Sequence, residues 1–158
     1  IGEIVLGTYK AILKIPALGS CVGLIVYPEQ VEPERRCAAM AHIMLARTSD
    51  VAKRPKHWGP AKYATDAIPT VIKRLERYGY AKNELVAKIV GGAQMFTHTM
   101  PLINIGKDNV KTVRTLLQNE KIPIRKEYTG GATGIAVTFT VKNYQLIVRP
   151  TGGQPIII

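Results

Sequence analysis

The chain is short of sulfur, of aromatic rings and of acid. Cysteine occurs only at Cys21 and Cys37 in 158 residues. With no Cys-x-x-Cys and no His-x-x-x-His, the spacings of a common zinc site are missing, and no metal is expected. Nothing else suggests export, so both residues are expected as free thiols in a reducing cytoplasm. Aromatic residues make up 6% of the chain. That is too few for a stacking platform, which argues against a nucleic-acid partner. The longest apolar run, around Val22–Tyr27, is too short to span a bilayer, so no membrane insertion is expected. The opening Ile1–Gly2–Glu3–Ile4–Val5 shows no basic stretch leading into an apolar one, and no signal peptide is expected. The chain also starts without Met, so preceding residues are expected to be missing. Repeats at a fixed period and low-complexity tracts are absent as well.

What is present is a globular composition, 46% hydrophobic, of a length that suits one domain over residues 1–158. The 22 Lys and Arg outnumber the 11 Asp and Glu, giving a net charge of +11. Such a field attracts nucleic acid, an anionic membrane or an acidic protein surface. The basic residues are scattered, as Arg35–Arg36, Lys53–Arg54, Lys73–Arg74–Arg77, Lys107–Lys111–Arg114 and Arg125–Lys126. Solvated helix faces explain that scatter as readily as an acidic partner does.

Along the chain, Glu3–Lys14 reads as an extended opening segment. Leu18–Tyr27 reads as a buried strand with a turn at Gly19–Ser20, and Pro28–Arg36 as a charged loop. Cys37–Ala46 is apolar on both faces, as a central strand would be. Arg47–Lys62, with Pro55, Gly59 and Pro60, predicts a long loop. Apolar residues at helical spacing predict a helix over Tyr63–Tyr78 stopped by Gly79, with Pro69 kinking it or marking an early turn. A strand over Glu84–Val90 ends at Gly91–Gly92. A second helix, Asp108–Glu120, turns Val110, Val113, Leu116 and Leu117 inward. Strands follow at Ile122–Tyr128, Ala136–Lys142 and Gln145–Arg149, the last two joined by a tight turn at Asn143–Tyr144. This order predicts an α+β, layered architecture over a doubly wound sheet.

The first candidate site is a pair. If the strands holding Cys21 and His42 are antiparallel neighbours and Tyr27 faces Arg36, then Cys21 faces His42 directly. A slip of one residue would separate them to opposite faces. An imidazole beside a thiol can take its proton and later return one to a leaving group. Gly19, Ser20 and the Cys21 backbone could present N–H groups to an oxyanion. The plainer alternative is a small buried cysteine and a satisfied core histidine. Cys37 and His42 lie five apart in one strand and point to opposite faces. His57 and His98 fall in loops with no cysteine nearby in sequence, and Trp58 beside His57 either lines a site or covers the core.

Other signals are weaker. Gly91–Gly92–Ala93–Gln94–Met95–Phe96 follows a strand as a phosphate loop does but lacks the Lys-Ser/Thr end. A backbone turn beside a site fits it better. Asn104–Asn109 reads as a helix entry with polar caps, and Thr129–Gly130–Gly131 as a glycine turn. Gly152–Gly153–Gln154 matches a tripeptide of translation release factors, but a turn after the last strand is the simpler reading.

Seven segments in order carry a family resemblance: LGSCVGLIVY with Cys21, MAHIML with His42, PAKYATDAI around Tyr63, AKIVGGAQMF over Ala87–Phe96, NIGKDN over Asn104–Asn109, TGG at Thr129–Gly131, and LIVRPTGG. Together they span about Ile4 to Gly153 and resemble the chemoreceptor glutamine deamidase family, CheD. The resemblance implies an α+β layered α/β/β sandwich like the catalytic domains of bacterial deamidating toxins, with mixed, mostly antiparallel sheets and two main helices. It implies conversion of selected glutamines to glutamates on cytoplasmic helices of chemotaxis receptors, with glutamyl methyl esters as further substrates. No cofactor is implied, and a CheC-type phosphatase is the implied partner. The nucleophile maps onto Cys21 and its base onto His42. Tyr63, Gly91, Gly92, Met95, Phe96, Asn104, Asn109 and Thr129 become candidate substrate or partner contacts. One position departs from the pattern: the Thr expected six residues before the cysteine is Ile15, which cannot hydrogen-bond through its side chain. A non-catalytic adaptor binding CheC or receptors, and a cysteine amidase or peptidase of other specificity, remain as alternatives.

Overall fold

The computed structural model describes residues 1–47, 59–95 and 104–158. Three layers are stacked. The middle layer is a five-stranded sheet formed by β1 (Ile4–Thr8), β3 (Val22–Pro28), β4 (Cys37–Ile43), β5 (Leu85–Gly91) and β6 (Ile124–Thr129), in the order β1-β4-β3-β5-β6. One outer layer is a four-stranded sheet of β2 (Ile12–Leu18), β7 (Ile135–Thr140), β8 (Gln145–Pro150) and β9 (Ile156–Ile157), in the order β2-β7-β8-β9. The other is a helix pair, α1 (Ala64–Arg77) and α2 (Ile105–Asn119). Among the described residues, β5 with β6 is the one parallel strand pair. The α+β sandwich with mostly antiparallel sheets is therefore as expected.

Burial on both faces follows from the layering. All seven residues of β3 are buried, as a middle-layer strand requires. Val22, Leu24 and Val26 face the helices together with Cys37, Ala39, Ala41 and Ile43 of β4. Ile25, Tyr27, Ala38 and Met40 face the second sheet, where they meet Leu13, Ile15, Val137, Phe139 and Val148. The period of two thus sorts one continuous apolar run into two cores.

Both helices form where periodicity predicted them. α1 runs unbroken through Pro69, which sits on its exposed side. Tyr63 is its N-cap, and Gly79, at φ +93°, follows its C-terminal end. α2 starts three residues earlier than expected, because Asn104 caps it by accepting from Lys107 N–H at 2.9 Å.

Three expectations change. Leu18–Tyr27 is not one strand: the chain leaves the outer sheet at Leu18 and enters the middle sheet at Val22. A continuous apolar run cannot reveal which sheet each half joins. The opening Glu3–Lys14 is likewise two strands of different sheets, β1 and the start of β2. The short β9, Ile156–Ile157, was not expected at all. Gly152–Gly153 does form the turn before it, with Gly153 N–H donating to Pro150 C=O at 3.0 Å.

Candidate functional site

Cys21 lies on the three-residue passage Gly19–Ser20–Cys21 between the two sheets. The passage is anchored through its carbonyls. Gly19 C=O accepts from Ala93 N–H at 2.9 Å, and Cys21 C=O from Gly92 N–H at 2.8 Å. Ser20 C=O accepts from the Asn109 side-chain amide at 2.9 Å. No carbonyl of the described residues accepts from the N–H groups of Gly19, Ser20 or Cys21. The Cys21 N–H instead favours its own thiolate. Backbone amides that no described carbonyl takes up are groups that suit an oxyanion.

Glycine makes the anchoring possible. Gly91 has φ +95°, and a side chain there would collide with the Cys21 carbonyl oxygen. Gly92 and Gly106 approach each other backbone to backbone, so that the first turn of α2 rests on the end of β5. Gly91→Ala is expected to lower stability by about 2 kcal/mol or more, through the unfavourable φ and the clash. Urea unfolding checks this, and a wild-type midpoint would contradict it.

His42 sits in β4 and faces the second sheet, as does Met40 two residues earlier. The direct pairing with Cys21 is overturned, because Gly23 stands opposite His42 and Val22 opposite Ile43. The register differs by two residues from the expected one. The reason lies in the connection: a 3-10 turn at Pro33–Arg35 takes the Arg36 N–H, which donates to Pro33 C=O at 3.1 Å and so cannot bond to Tyr27. A two-residue shift preserves the face. Cys21 packs against the core between the sheets, on the His42 side. On a ladder continued one residue past Val22 the two would be diagonal neighbours, a relation that sets Cβ atoms about 7 Å apart. A side chain at Gly23 would press on Val90, Leu18 and Ile15. Gly23 was not singled out in the sequence, although it follows Cys21 by two.

Burial governs the charge states. It pushes the Cys21 thiol above its ordinary 9.0 and the His42 imidazole below its ordinary 6.5. Both are therefore neutral near pH 7. His42 Nε2 is buried with no hydrogen-bond partner among the described residues. His42 and Ile15 line one cleft of about 340 Å³, with Glu3, Pro16 and Met40. The position expected to carry an orienting hydroxyl thus shares a cleft with the imidazole but is apolar, and Ile15 is buried.

The second thiol is differently placed. Cys37 is 1% exposed and faces the helices, and burial pushes its thiol above the ordinary 9.0. Both cysteines are free. Only Cys21 has partial access to solvent.

The candidate contact residues divide. Tyr63, Gly91 and Gly92 are buried and shape the backbone. Asn109 is 1% exposed, and its side-chain amide is spent on backbone carbonyls within the fold. Met95 is 46% exposed and lies against Gly19. Gly92, Asn104 and Thr129 line a cleft of about 620 Å³ with the exposed Lys107 and Lys111. Thr129 accepts from Arg114, which also pairs with Glu127. Phe96, His57, Trp58 and His98 lie outside the described residues. Among the described residues, no group of three or more His, Cys, Asp or Glu could hold a metal ion. No helix among them is long and apolar enough to cross a membrane.

The family profile described as CheD chemotactic sensory transduction matches residues 44–150. The chain is 37% identical over 144 residues to the probable chemoreceptor glutamine deamidase CheD of Archaeoglobus fulgidus, covering 90% of this chain and 86% of that one. It is 39% identical over 142 residues to the probable enzyme of that name from Moorella thermoacetica, covering 88% and 80%. The chemoreceptor glutamine deamidase CheD of Halalkalibacterium halodurans is 35% identical over 139 residues, covering 87% and 82%. The chain belongs to the CheD family. The profile begins downstream of both Cys21 and His42. The alignment to the Archaeoglobus CheD is long enough that it must include them both.

Proposed function

We propose that the protein deamidates glutamine side chains on cytoplasmic helices of chemotaxis receptors, with Cys21 as nucleophile and His42 as general base. The observation that supports this most is the placement of a half-buried thiol on an anchored turn, against the same core that the His42 face of β4 packs on. Membership of a family whose relatives are named chemoreceptor glutamine deamidases supplies the substrate class.

The chemistry runs in two halves. His42 takes the Cys21 proton as sulfur bonds to the glutamine carbonyl carbon. The N–H groups of Gly19–Cys21 hold the oxyanion. His42 returns the proton to the departing ammonia, leaving a γ-glutamyl thioester. Water, deprotonated by His42, then attacks the thioester carbon; the C–S bond breaks, the Cys21 thiolate leaves and takes the proton back from His42, and glutamate is released. A glutamyl methyl ester enters the same path with methanol as leaving group. The thiol–imidazole contact forms by side-chain movement within the pair, since catalytic hydrogen bonds often tighten only with substrate bound. The net charge of +11 suits an acidic receptor helix, and that attraction weakens as salt rises. A CheC-type phosphatase is the partner carried over from the family, and the cytoplasm the compartment.

Intact-mass spectrometry of a receptor cytoplasmic fragment incubated with the protein tests the reading. A gain of about one mass unit per modified glutamine is the expected result, since the amide NH2 is exchanged for OH. No gain, with the fragment still co-eluting, favours the second reading, a receptor adaptor without catalysis. Ile15 and the unpartnered His42 Nε2 are the observations behind that alternative. They also make a prediction: Ile15→Thr supplies the missing hydroxyl. It is expected to raise deamidation several-fold while costing about 1–2 kcal/mol of stability, because it buries a hydroxyl. Rates measured well below the unfolding midpoint separate the two effects, and an unchanged rate would mean that Ile15 does not limit the imidazole.

A further inference from the structure

We propose that Asn109 is the positioning residue of the site, fixing the Cys21 turn relative to the strand that carries His42. The inference rests on the Cys21–His42 reading above. Asn109 is 1% exposed, one of two buried polar residues among those described. Its side-chain amide donates twice, to Ser20 C=O and to Met44 C=O, each at 2.9 Å. Ser20 immediately precedes Cys21, and Met44 lies two residues past His42. One planar NH2 group therefore ties together the two backbone segments that bear the thiol and the imidazole.

The staple acts where the sheet ladder does not reach. Pairing of β3 with β4 ends at Val22 and Ile43, so Cys21 and Met44 lie just beyond it. Beyond Ile43, the next backbone bonds turn away, with Met44 and Leu45 N–H donating to Lys62 C=O. Without Asn109, the Ser20 peptide could rotate, carrying the Cys21 N–H and sulfur with it. The helix that holds Asn109 is itself fixed, by the Gly92–Gly106 contact and the Asn104 cap. A thiol–imidazole pair tolerates little of such drift, because a displacement near 1 Å costs about 10²-fold in rate.

The merely structural alternative is that Asn109 satisfies two buried carbonyls and nothing more. Asn109→Ala and the isosteric Asn109→Asp, which faces carbonyls with acceptors, are compared with Val113→Ala. Val113 is buried one turn further along the same helix, and its side chain carries no hydrogen-bond donor. All are assayed well below their unfolding midpoints. Both Asn109 variants are expected to lower kcat about 10- to 100-fold with KM within about twofold. Val113→Ala, destabilised by cavity formation, is expected to keep wild-type kcat. The pH dependence of Cys21 alkylation by iodoacetamide is expected to change in the Asn109 variants alone. Equal kcat in Asn109→Ala and Val113→Ala, with the same alkylation profile, would overturn the proposal. If the alanine variant does not fold, Asn109→Ser carries the test. It keeps one donor, and a wild-type kcat in it overturns the proposal equally. Activity surviving in Cys21→Ala would instead sink the parent reading, whatever Asn109 does.

Discussion

Cys21→Ala is expected to abolish glutamine deamidation, by at least ~10³-fold, because no other described residue can form the thioester. Cys37 cannot substitute. It is buried and faces the helices, on the side of the sheet away from His42. The fold is expected to survive, since the lost sulfur is small and only half-buried, and the change in stability should stay within about 1 kcal/mol. Receptor binding should survive with it, because the turn is held by its carbonyls and not by the thiol. The measurement is the mass of a receptor fragment after incubation with each protein, alongside co-elution of the fragment. Loss of the mass gain with binding intact identifies Cys21 as the nucleophile. A variant that still deamidates would remove the thioester from the mechanism.

The parts of this fold legible in the sequence are those set by local periodicity and punctuation. Ala64–Arg77 and Ile105–Asn119 show their helical stripes, and Asn104 and Gly79 mark ends by the physics of caps. Cys37–Ile43 reads as central because both faces are apolar. What was not legible depends on contacts distant in sequence. Nothing within Leu18–Tyr27 says that its halves belong to different sheets. The register of β3 against β4 goes with a connection that a local reading misses, a 3-10 turn at Pro33–Arg35 that engages the Arg36 N–H. The face survived this error because the shift was even. Asn109 looked like one more polar residue of a helix start, yet its two acceptors lie 89 and 65 residues away. Ile15 was legible as a departure from the family pattern, and the structure adds that it shares a cleft with the imidazole it does not orient.

His42→Ala is expected to lower deamidation about 10²- to 10⁴-fold, the usual contribution of a positioned general base. Its signature is in the pH profile. Burial lowers the imidazole pKa from 6.5, so the base stays neutral and competent to a lower pH than an exposed histidine would. The acid limb of kcat/KM should therefore fall below pH 6.5. Burial raises the thiol from 9.0, so a rate dependent on pre-formed thiolate would climb only above that value. With His42 present, the rate should instead be flat through neutral pH, because the proton is transferred as the sulfur attacks. In His42→Ala that plateau should vanish, leaving a weak activity that rises with hydroxide toward the thiol pKa. Wild-type iodoacetamide alkylation, which needs no proton transfer to a substrate, should follow the high thiol pKa. A wild-type alkylation midpoint well below 9 would show instead that the pair rests as thiolate and imidazolium. The general-base account of the attack would then give way to one in which the nucleophile is charged before the substrate arrives.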